Sequence, residues 1–576
     1  MLWNWLSRPG IQTRPDAPIF QNMSVEHLQR QPSTGWMKSI EASVKWQNVA
    51  ALVIILLFAA INLSSVLRNY SLTTDEDKHI LYGERVASGN STRIDDSKMP
   101  VTALNMLPEK LASFLADGRI KQILSRVYIA RTVTIFFSCL LAFLIFSWSR
   151  ALYGFIPALF SLTLYVLDPN IIAHSQLVTT DLYLALAITF AFFTLWKFAK
   201  ERNLQNGLIC LFALGIAQMA KYTAIMLYPL FLVTLFVHDS PLWLKALREK
   251  SLLQDLTRKY IKYSLAAIFA SILMINLGFL FNQTFKYFGE YQFRSDVFQG
   301  LQANLPFLSS FPVPVPFPYL QGLDWMRNTE STGNLAGNVY LLGKVSPLKG
   351  FPGYYFFASL LKVPIATQII LLSALFAYFT QKPRRENLLR NEIFLFVPVL
   401  FYAIYFNFFF NTQIGIRYFL PTFTLLYVFS GNLFINWNHF TSARKAAIFA
   451  LLAYACISVI SYYPYHMSYF NEFVWDRRQA YKYLADSNID WSQGKNELDQ
   501  YLLEHPDAVY KPGKVRSGHL VVRVNDLVGV TTEPEQYAWL RDNFEPVDTI
   551  AYSYLIYRIS PEELNYLCGT TTYCDQ

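Results

Sequence analysis

About eleven apolar runs punctuate this 576-residue sequence, at roughly 47–67, 127–148, 154–169, 178–198, 205–220, 222–238, 261–281, 357–379, 393–410, 418–437 and 445–463. About 20 apolar residues with few charges read as a transmembrane helix, because that length of helix crosses the hydrocarbon of a bilayer. The third and fifth runs are short. So many spans admit one fold class, an α-helical polytopic membrane protein. Hydrophobic residues are 53% and charged residues 15%, against about 25% charged in an average soluble protein. A soluble multidomain chain, a disordered chain, a collagen-like chain and a small disulfide scaffold are excluded. No internal repeat suggests an inverted-repeat transporter.

Basic residues set the orientation. Lys245, Arg248, Lys250, Arg258, Lys259 and Lys262 lie between runs six and seven, and Lys382, Arg384, Arg385 and Arg390 between runs eight and nine. Lys197, Lys200 and Arg202 follow run four, and Arg444 and Lys445 precede run eleven or open it. All fall on one side if the N-terminus is cytoplasmic, which places the C-terminus outside. The net charge of +9 is then mainly an orientation signal rather than a nucleic-acid footprint, and no nucleic-acid partner is expected.

The chain divides accordingly. Residues 1–46 form a polar cytoplasmic tail without a separate cleavable apolar region, so the first run reads as an uncleaved anchor. Residues 47–463 form the membrane module, with outer loops at 68–126 and 282–356. Residues 464–576 read as a small extracytoplasmic α/β domain, with a helical stretch near 478–504 and strand-like runs at 519–524 and 549–559. Cys139, Cys210 and Cys456 lie in spans as packing residues. Cys568 and Cys574 lie outside, where a disulfide can form. No CxxC metal pattern occurs.

Four stretches carry chemistry. The first loop opens Thr73-Thr74-Asp75-Glu76-Asp77-Lys78-His79. A carboxylate at the membrane surface is partly desolvated, which makes it a useful general base; the alternative is a solvated acidic loop. Asp168-Pro169-Asn170 through His174 to Thr179-Thr180-Asp181 joins runs three and four at the membrane boundary, where ionisable groups are functional suspects. Helix capping is the other reading of Asp168 and Asp181, and structural hydrogen bonding that of His174. Lys221, Lys362 and Arg417 are isolated basic residues at the outer membrane face, placed to meet a phosphate or to snorkel. The fourth stretch, Asp486-Ser487-Asn488-Ile489-Asp490-Trp491-Ser492, is dense in groups that bind sugars, or is an Asx-rich turn.

At these residues the sequence resembles the GT-C membrane glycosyltransferases, and more closely the bacterial branch related to protein O-mannosyltransferases (family 39-like) and lipid A aminoarabinose transferases. The matching stretches are Asp75-Glu76, LDPNIIAHSQLVTTDLYLAL, GIAQMAKYTAIMLYPL, IGIRYFLPTF, PYHMSYFNE, DSNIDWSQG and YSYLIYRIS. The resemblance implies a sugar on a polyprenyl phosphate, transferred with inversion at the outer face of a bacterial inner membrane to a protein, lipid or glycan acceptor. It implies Asp75 as general base with Glu76 beside it, and Lys221 and Arg417, with Lys362, as donor-phosphate contacts. His79, His174, Asp181, Asp168, Asp490 and Trp491 are expected to bind substrate. Many members of the class need no metal and some use Mg or Mn, so a divalent ion stays open. Relatives often carry His-Pro-Pro where this chain has Lys98-Met99-Pro100, and Asp77 is additional. The rival reading is a transporter or flippase of lipid-linked sugars, which would place its polar residues near mid-bilayer rather than at one edge.

Overall fold

All eleven apolar stretches are helical in the computed structural model, which describes residues 34–68, 71–90, 98–115, 118–124, 126–332, 338–381, 386–571 and 573–575. Most of the expected N-terminal tail, and Lys382, Arg384 and Arg385 of the expected inner basic cluster, lie outside these residues. Among the described residues, five helices are long and apolar enough to cross a membrane unaided: Trp46–Arg68, Val127–Tyr153, Asp181–Lys200, Lys250–Gly278 and Ser442–Ile460. Three further stretches are helix pairs bent by 65° after Val166, 70° after His238 and 118° after Lys362. The remaining three are shorter: Leu204–Ala220, Ile393–Phe408 and Leu420–Ser430. The chain is a multi-pass membrane protein, but its apolar stretches are not eleven straight rods. Pro169 and Pro364 stand at two of the breaks, where the missing N–H cannot continue a helix.

Asp181–Lys200 is the most enclosed of the five long helices. Leu204–Ala220 packs beside it and also against Lys250–Gly278. The second contact is close because Gly215 has no side chain; a Cβ there would lie 2.6 Å from Met274 Cγ. Small residues at such crossings let backbones approach and gain dispersion contact, the main attraction between helices in lipid.

The three long connecting segments meet at one end of the bundle. The Thr74 N–H bonds the Trp491 carbonyl at 3.0 Å, Asn338 Nδ2 donates to the Gly529 carbonyl at 2.7 Å, and the Tyr222 hydroxyl reaches the Pro318 carbonyl. At the opposite end Arg202 pairs with Asp239, and Trp196 Nε1 donates to Asn391.

Two small sheets sit with the connecting segments. Strands β1 (Val339–Leu341) and β2 (Lys344–Ser346) form a hairpin. The C-terminal sheet has order β3-β4-β6-β5, from Val509–Tyr510 (β3), Gly518–Arg523 (β4), Asp548–Ile550 (β5) and Tyr554–Ile559 (β6); β3 runs parallel to β4 and the other pairs are antiparallel. The strand-like run at 549–559 thus folds back on itself. Ala551 and Tyr552 both take positive φ, the geometry that matches strand twist in a tight hairpin. The helix expected near 478–504 shrinks to Lys495–Glu504, because Asp486 and Ser492 adopt positive φ and break the earlier part into turns. Cys568 and Cys574 are joined by a disulfide.

One buried ion pair ties the first loop to the bundle. Arg131, in the first turns of Val127–Tyr153, grips Glu76 with Nε to Oε1 at 2.8 Å and Nη2 to Oε2 at 2.6 Å, and both side chains are shielded from solvent. Removing one partner of a buried pair leaves an uncompensated charge and costs about 3–5 kcal/mol. Arg131→Ala should therefore lower the unfolding midpoint of the detergent-purified protein sharply, while removal of both partners should cost less than the two single changes summed. An unaltered midpoint for Arg131→Ala would contradict this account.

Candidate active site

The Asp-Glu pair that opens the first loop is split by the helix it begins. Glu76 is the first residue of helix Glu76–Ala87 and turns inward, where Arg131, the Val178 N–H at 2.9 Å and the Thr73 N–H at 3.2 Å take both its oxygens. Expected beside Asp75 in catalysis, Glu76 has a carboxylate so fully engaged that it anchors the first loop instead. Asp75 occupies the N-cap position, yet its side chain makes no capping bond, and it is half-buried. Its carboxylate is left over for something else.

Three other expected contacts are also structural. Asp168 is fully buried and caps helix Pro169–Ser175, accepting from the Asn170 N–H at 2.7 Å and from the Tyr427 hydroxyl at 2.5 Å. Asp490 is buried against Arg523, with Nε–Oδ2 at 2.5 Å, and ties the turn 486–492 to the end of β4. Lys362 lies inside the protein rather than at the membrane face. Its ammonium donates to the Met467 carbonyl at 2.7 Å and the Asn488 carbonyl at 2.5 Å, because the 118° break after it turns the residue inward. Asp168, Asp490 and Lys362, expected as substrate and phosphate contacts, are each engaged by protein partners instead.

The remaining residues converge. Asp181 begins the central helix. Lys221 leaves the end of Leu204–Ala220 in extended conformation and sets its Nζ 2.5 Å from Asp181 Oδ1. Arg417, in the 3₁₀ turn Ile416–Phe419, brings Nη1 to 3.9 Å from Asp181 Oδ2. Its guanidinium lies 4.0 Å from the Trp491 ring centre, and Lys221 Nζ lies 3.9 Å from that of Tyr418. Trp491 is thus at the site but covered by Arg417. Two cations share the Asp181 carboxylate directly, and Asp75 and Asp486 act on Arg417 from further off.

Polar atoms at this place lack protein partners. Arg417 Nε, His79 Nδ1, His174 Nδ1 and Thr179 Oγ1 are all buried and make no hydrogen bond among the described residues. Such atoms are uncommon in a folded interior and need explaining. His79 is held neutral: burial pushes its pKa well below the usual value, and the charges of Lys98, Lys221 and Arg417 push the same way against Asp181. Among the described residues no group of three or more His, Cys, Asp or Glu side chains is placed to hold a metal.

Three residues here escaped the sequence reading of the site. Arg131 is a lone guanidinium in an apolar span, and such a charge must have a partner; that signal was in the sequence. Lys98 is buried and close enough to act on His79, but its place in the long first loop said nothing of its depth. Asp486 lies in a stretch already singled out, yet nothing in the sequence separates it from Asp490. The structure does. Asp490 has its own arginine, whereas Asp486 lies in the field of Arg417, Asp490 and Asp75 without an ion pair of its own among the described residues.

Residues 125–253 match the family model for dolichyl-phosphate-mannose-protein mannosyltransferase. Over those residues the chain is similar to that family. The matched segment contains Arg131, Asp181 and Lys221. No curated protein sequence matches the chain. Among solved structures, the chain is similar to ArnT from Cupriavidus metallidurans bound to undecaprenyl phosphate, at 16% identity over 75% of this chain and 65% of that one, with a TM-score of 0.45. It is also similar to the apo form of that protein (13%, 90% and 98%, TM-score 0.27). A third likeness is to the S. cerevisiae protein O-mannosyltransferase Pmt1-Pmt2 complex bound to the sugar donor (16%, 41% and 34%, TM-score 0.32). The chain therefore spans just under two thirds of the first of these structures.

Burial raises the Asp486 pKa to about 6; Arg417 pulls it back, and Asp490 and Asp75 add to the rise. The fold thus favours the protonated form, and the stability this gives is complete below the unfolded carboxyl value near 3.9 and lost as pH rises through about 6. Asp486→Asn should consequently raise the melting temperature relative to wild type at pH 8 and have little effect at pH 4. Equal shifts at both values would show that the charge is not held at a cost.

Proposed function

We propose that this GT-C-like chain transfers a sugar from a polyprenyl-phosphate donor to a hydroxyl acceptor at the outer face of a bacterial inner membrane. The observation that carries this reading is the cation pair Lys221–Arg417 around Asp181, set beside an unengaged carboxylate at Asp75. An apolar cavity of about 680 Å³ between the helices Asp181–Lys200, Leu204–Ala220, Leu227–His238 and Lys250–Gly278 supports it. Ile275 and Tyr319 line that cavity and pack with Met99 and Tyr222 in one apolar cluster. Met99 follows Lys98 and Tyr222 follows Lys221, so the apolar space abuts residues that each neighbour a lysine of the site. A lipid phosphate needs this pairing of an apolar channel for the tail with cations for the head.

In the proposed reaction the acceptor hydroxyl oxygen attacks the anomeric carbon and its proton passes to Asp75. The bond from that carbon to the phosphate oxygen breaks, and its electron pair leaves with the lipid phosphate, with inversion at the sugar. Lys221 and Arg417 stabilise the charge that grows on the phosphate, with Lys98 adding to the same field. His79 and His174 offer their unpartnered Nδ1 atoms to sugar hydroxyls. Asp181 holds the two cations apart and in place.

A positioned general base contributes about 10²–10⁴-fold. Asp75→Asn should lose that factor in turnover of a labelled polyprenyl-phosphate sugar (mannose, a pentose or a hexosamine) while still binding undecaprenyl phosphate. Near-normal turnover by this variant would remove Asp75 as the base. Lys221→Met and Arg417→Met should each weaken undecaprenyl-phosphate binding by about 10-fold or more, the scale of one lost charged hydrogen bond. Movement of the lipid-linked sugar across the membrane without its consumption would favour a flippase instead.

A further inference from the structure

The turn 486–492 grips both sides of the site. Ser487 Oγ donates to the Ile414 carbonyl at 2.5 Å, and Asn488 Oδ1 accepts the Ile416 N–H at 3.0 Å. Two consecutive side chains thereby hold the backbone on either side of Gly415, two residues before Arg417. Gly415 has φ +101°, and a Cβ there would run into Ser487 Oγ, so only glycine allows this approach. At the far end of the turn, the Thr74 N–H bonds the Trp491 carbonyl and the Thr74 and Ser492 hydroxyls meet at 3.0 Å. Thr74 precedes Asp75. The turn is a splint between Asp75 and Arg417, held to the C-terminal sheet by the Asp490–Arg523 pair.

Asp486 sits within this splint at φ +57°, a conformation that a residue other than glycine adopts at a cost. Surrounding bonds enforce it: its N–H donates to Asn525 Oδ1 at 2.8 Å, and its Oδ1 accepts the Ser487 N–H at 2.5 Å. Strain fixed in this way gathers at functional sites. The groups facing its carboxylate are Arg417, Asp75, Asp490 and the Tyr354 hydroxyl. No hydrogen bond among the described residues falls on its Oδ2, which is open rather than enclosed, and Arg417 Nε is buried without a partner. The orphaned donor needs a partner, and the open carboxylate oxygen is free to accept from a ligand's polar groups.

We propose that Asp486 is the acceptor-side companion of Asp75, and that the acceptor is a polyol: one hydroxyl is deprotonated at Asp75 while a neighbouring hydroxyl donates to Asp486 Oδ2. This rests on the sugar-transfer reading above. The attacking oxygen bonds the anomeric carbon, its proton goes to Asp75, the lipid phosphate leaves with the electron pair, and Asp486 exchanges no proton. An isolated hydroxyl would leave Asp486 unengaged, so the site selects a sugar headgroup or glycan over a lone serine or threonine. The C-terminal domain then enters acceptor choice through one carboxylate.

The test is a competition. The full-length protein is given whichever polyprenyl-phosphate sugar it turns over, with glycerol and methanol together as probe acceptors, and the ratio of glyceryl to methyl glycoside is measured. A product ratio does not depend on how much of the enzyme is folded. Wild type should favour glycerol, and Asp486→Asn, which keeps a side chain that tolerates positive φ, should lower the ratio by about 10-fold or more. Asp486→Glu, which displaces the carboxylate without removing it, should fall between them and carries the same readout if the Asn variant does not fold. Equal ratios in wild type and variant overturn the proposal, as does a variant that binds undecaprenyl phosphate normally yet consumes no donor. A wild type that consumes none of the lipid-linked sugars overturns the sugar-transfer reading itself.

Discussion

The site is organised around the carboxylate of Asp181. It is buried at the head of the most enclosed helix, and a buried charge must be paired or neutralised. Lys221 and Arg417 are the groups that pair it. Each comes from a different part of the chain, so the helix, the turn after its neighbour and the 3₁₀ turn before Leu420–Ser430 are drawn to one point. The same interaction that holds three elements together sets two cations side by side, with Asp75 and Asp486 acting on Arg417 from further off.

A second tie acts in parallel. Glu76 and Arg131 neutralise each other inside the protein, which fixes the start of the first-loop helix and leaves Asp75 at its mouth. Neighbouring carboxylates in sequence thus have opposite fates because a helix turns successive side chains by about 100°. One faces the interior and is consumed in structure; the other faces the open space near Arg417.

Much of this was legible in the sequence. The apolar runs located all eleven helical stretches, since desolvation of the backbone in lipid forces hydrogen-bonded helices. Lys221 and Arg417 stood out as isolated charges in apolar surroundings, Asp181 as a carboxylate at the membrane boundary, and Asp75 as part of an acidic loop start whose role the family resemblance implied. What the sequence did not separate was which charges meet one another. Asp168, Asp490 and Lys362 carry the same local signature as Asp181 and Arg417, yet Tyr427, Arg523 and two backbone carbonyls satisfy them. Those partners lie between about 30 and 260 positions away in sequence, and only the folded chain brings them near. The bends were also hidden, because hydropathy averages over a break that a proline and one extended residue create.

The central helix has a further consequence through its length. Asp181–Lys200 has 20 residues, and at 1.5 Å per residue it is about 30 Å long, close to the hydrocarbon thickness of a bilayer. One end carries Asp181 and the other Lys197 and Lys200. Lys197 and Lys200 resist entering the hydrocarbon, whereas Asp181 is already shielded and paired within the protein. The helix is in effect a ruler that fixes how far the buried carboxylate lies from the membrane surface at its other end.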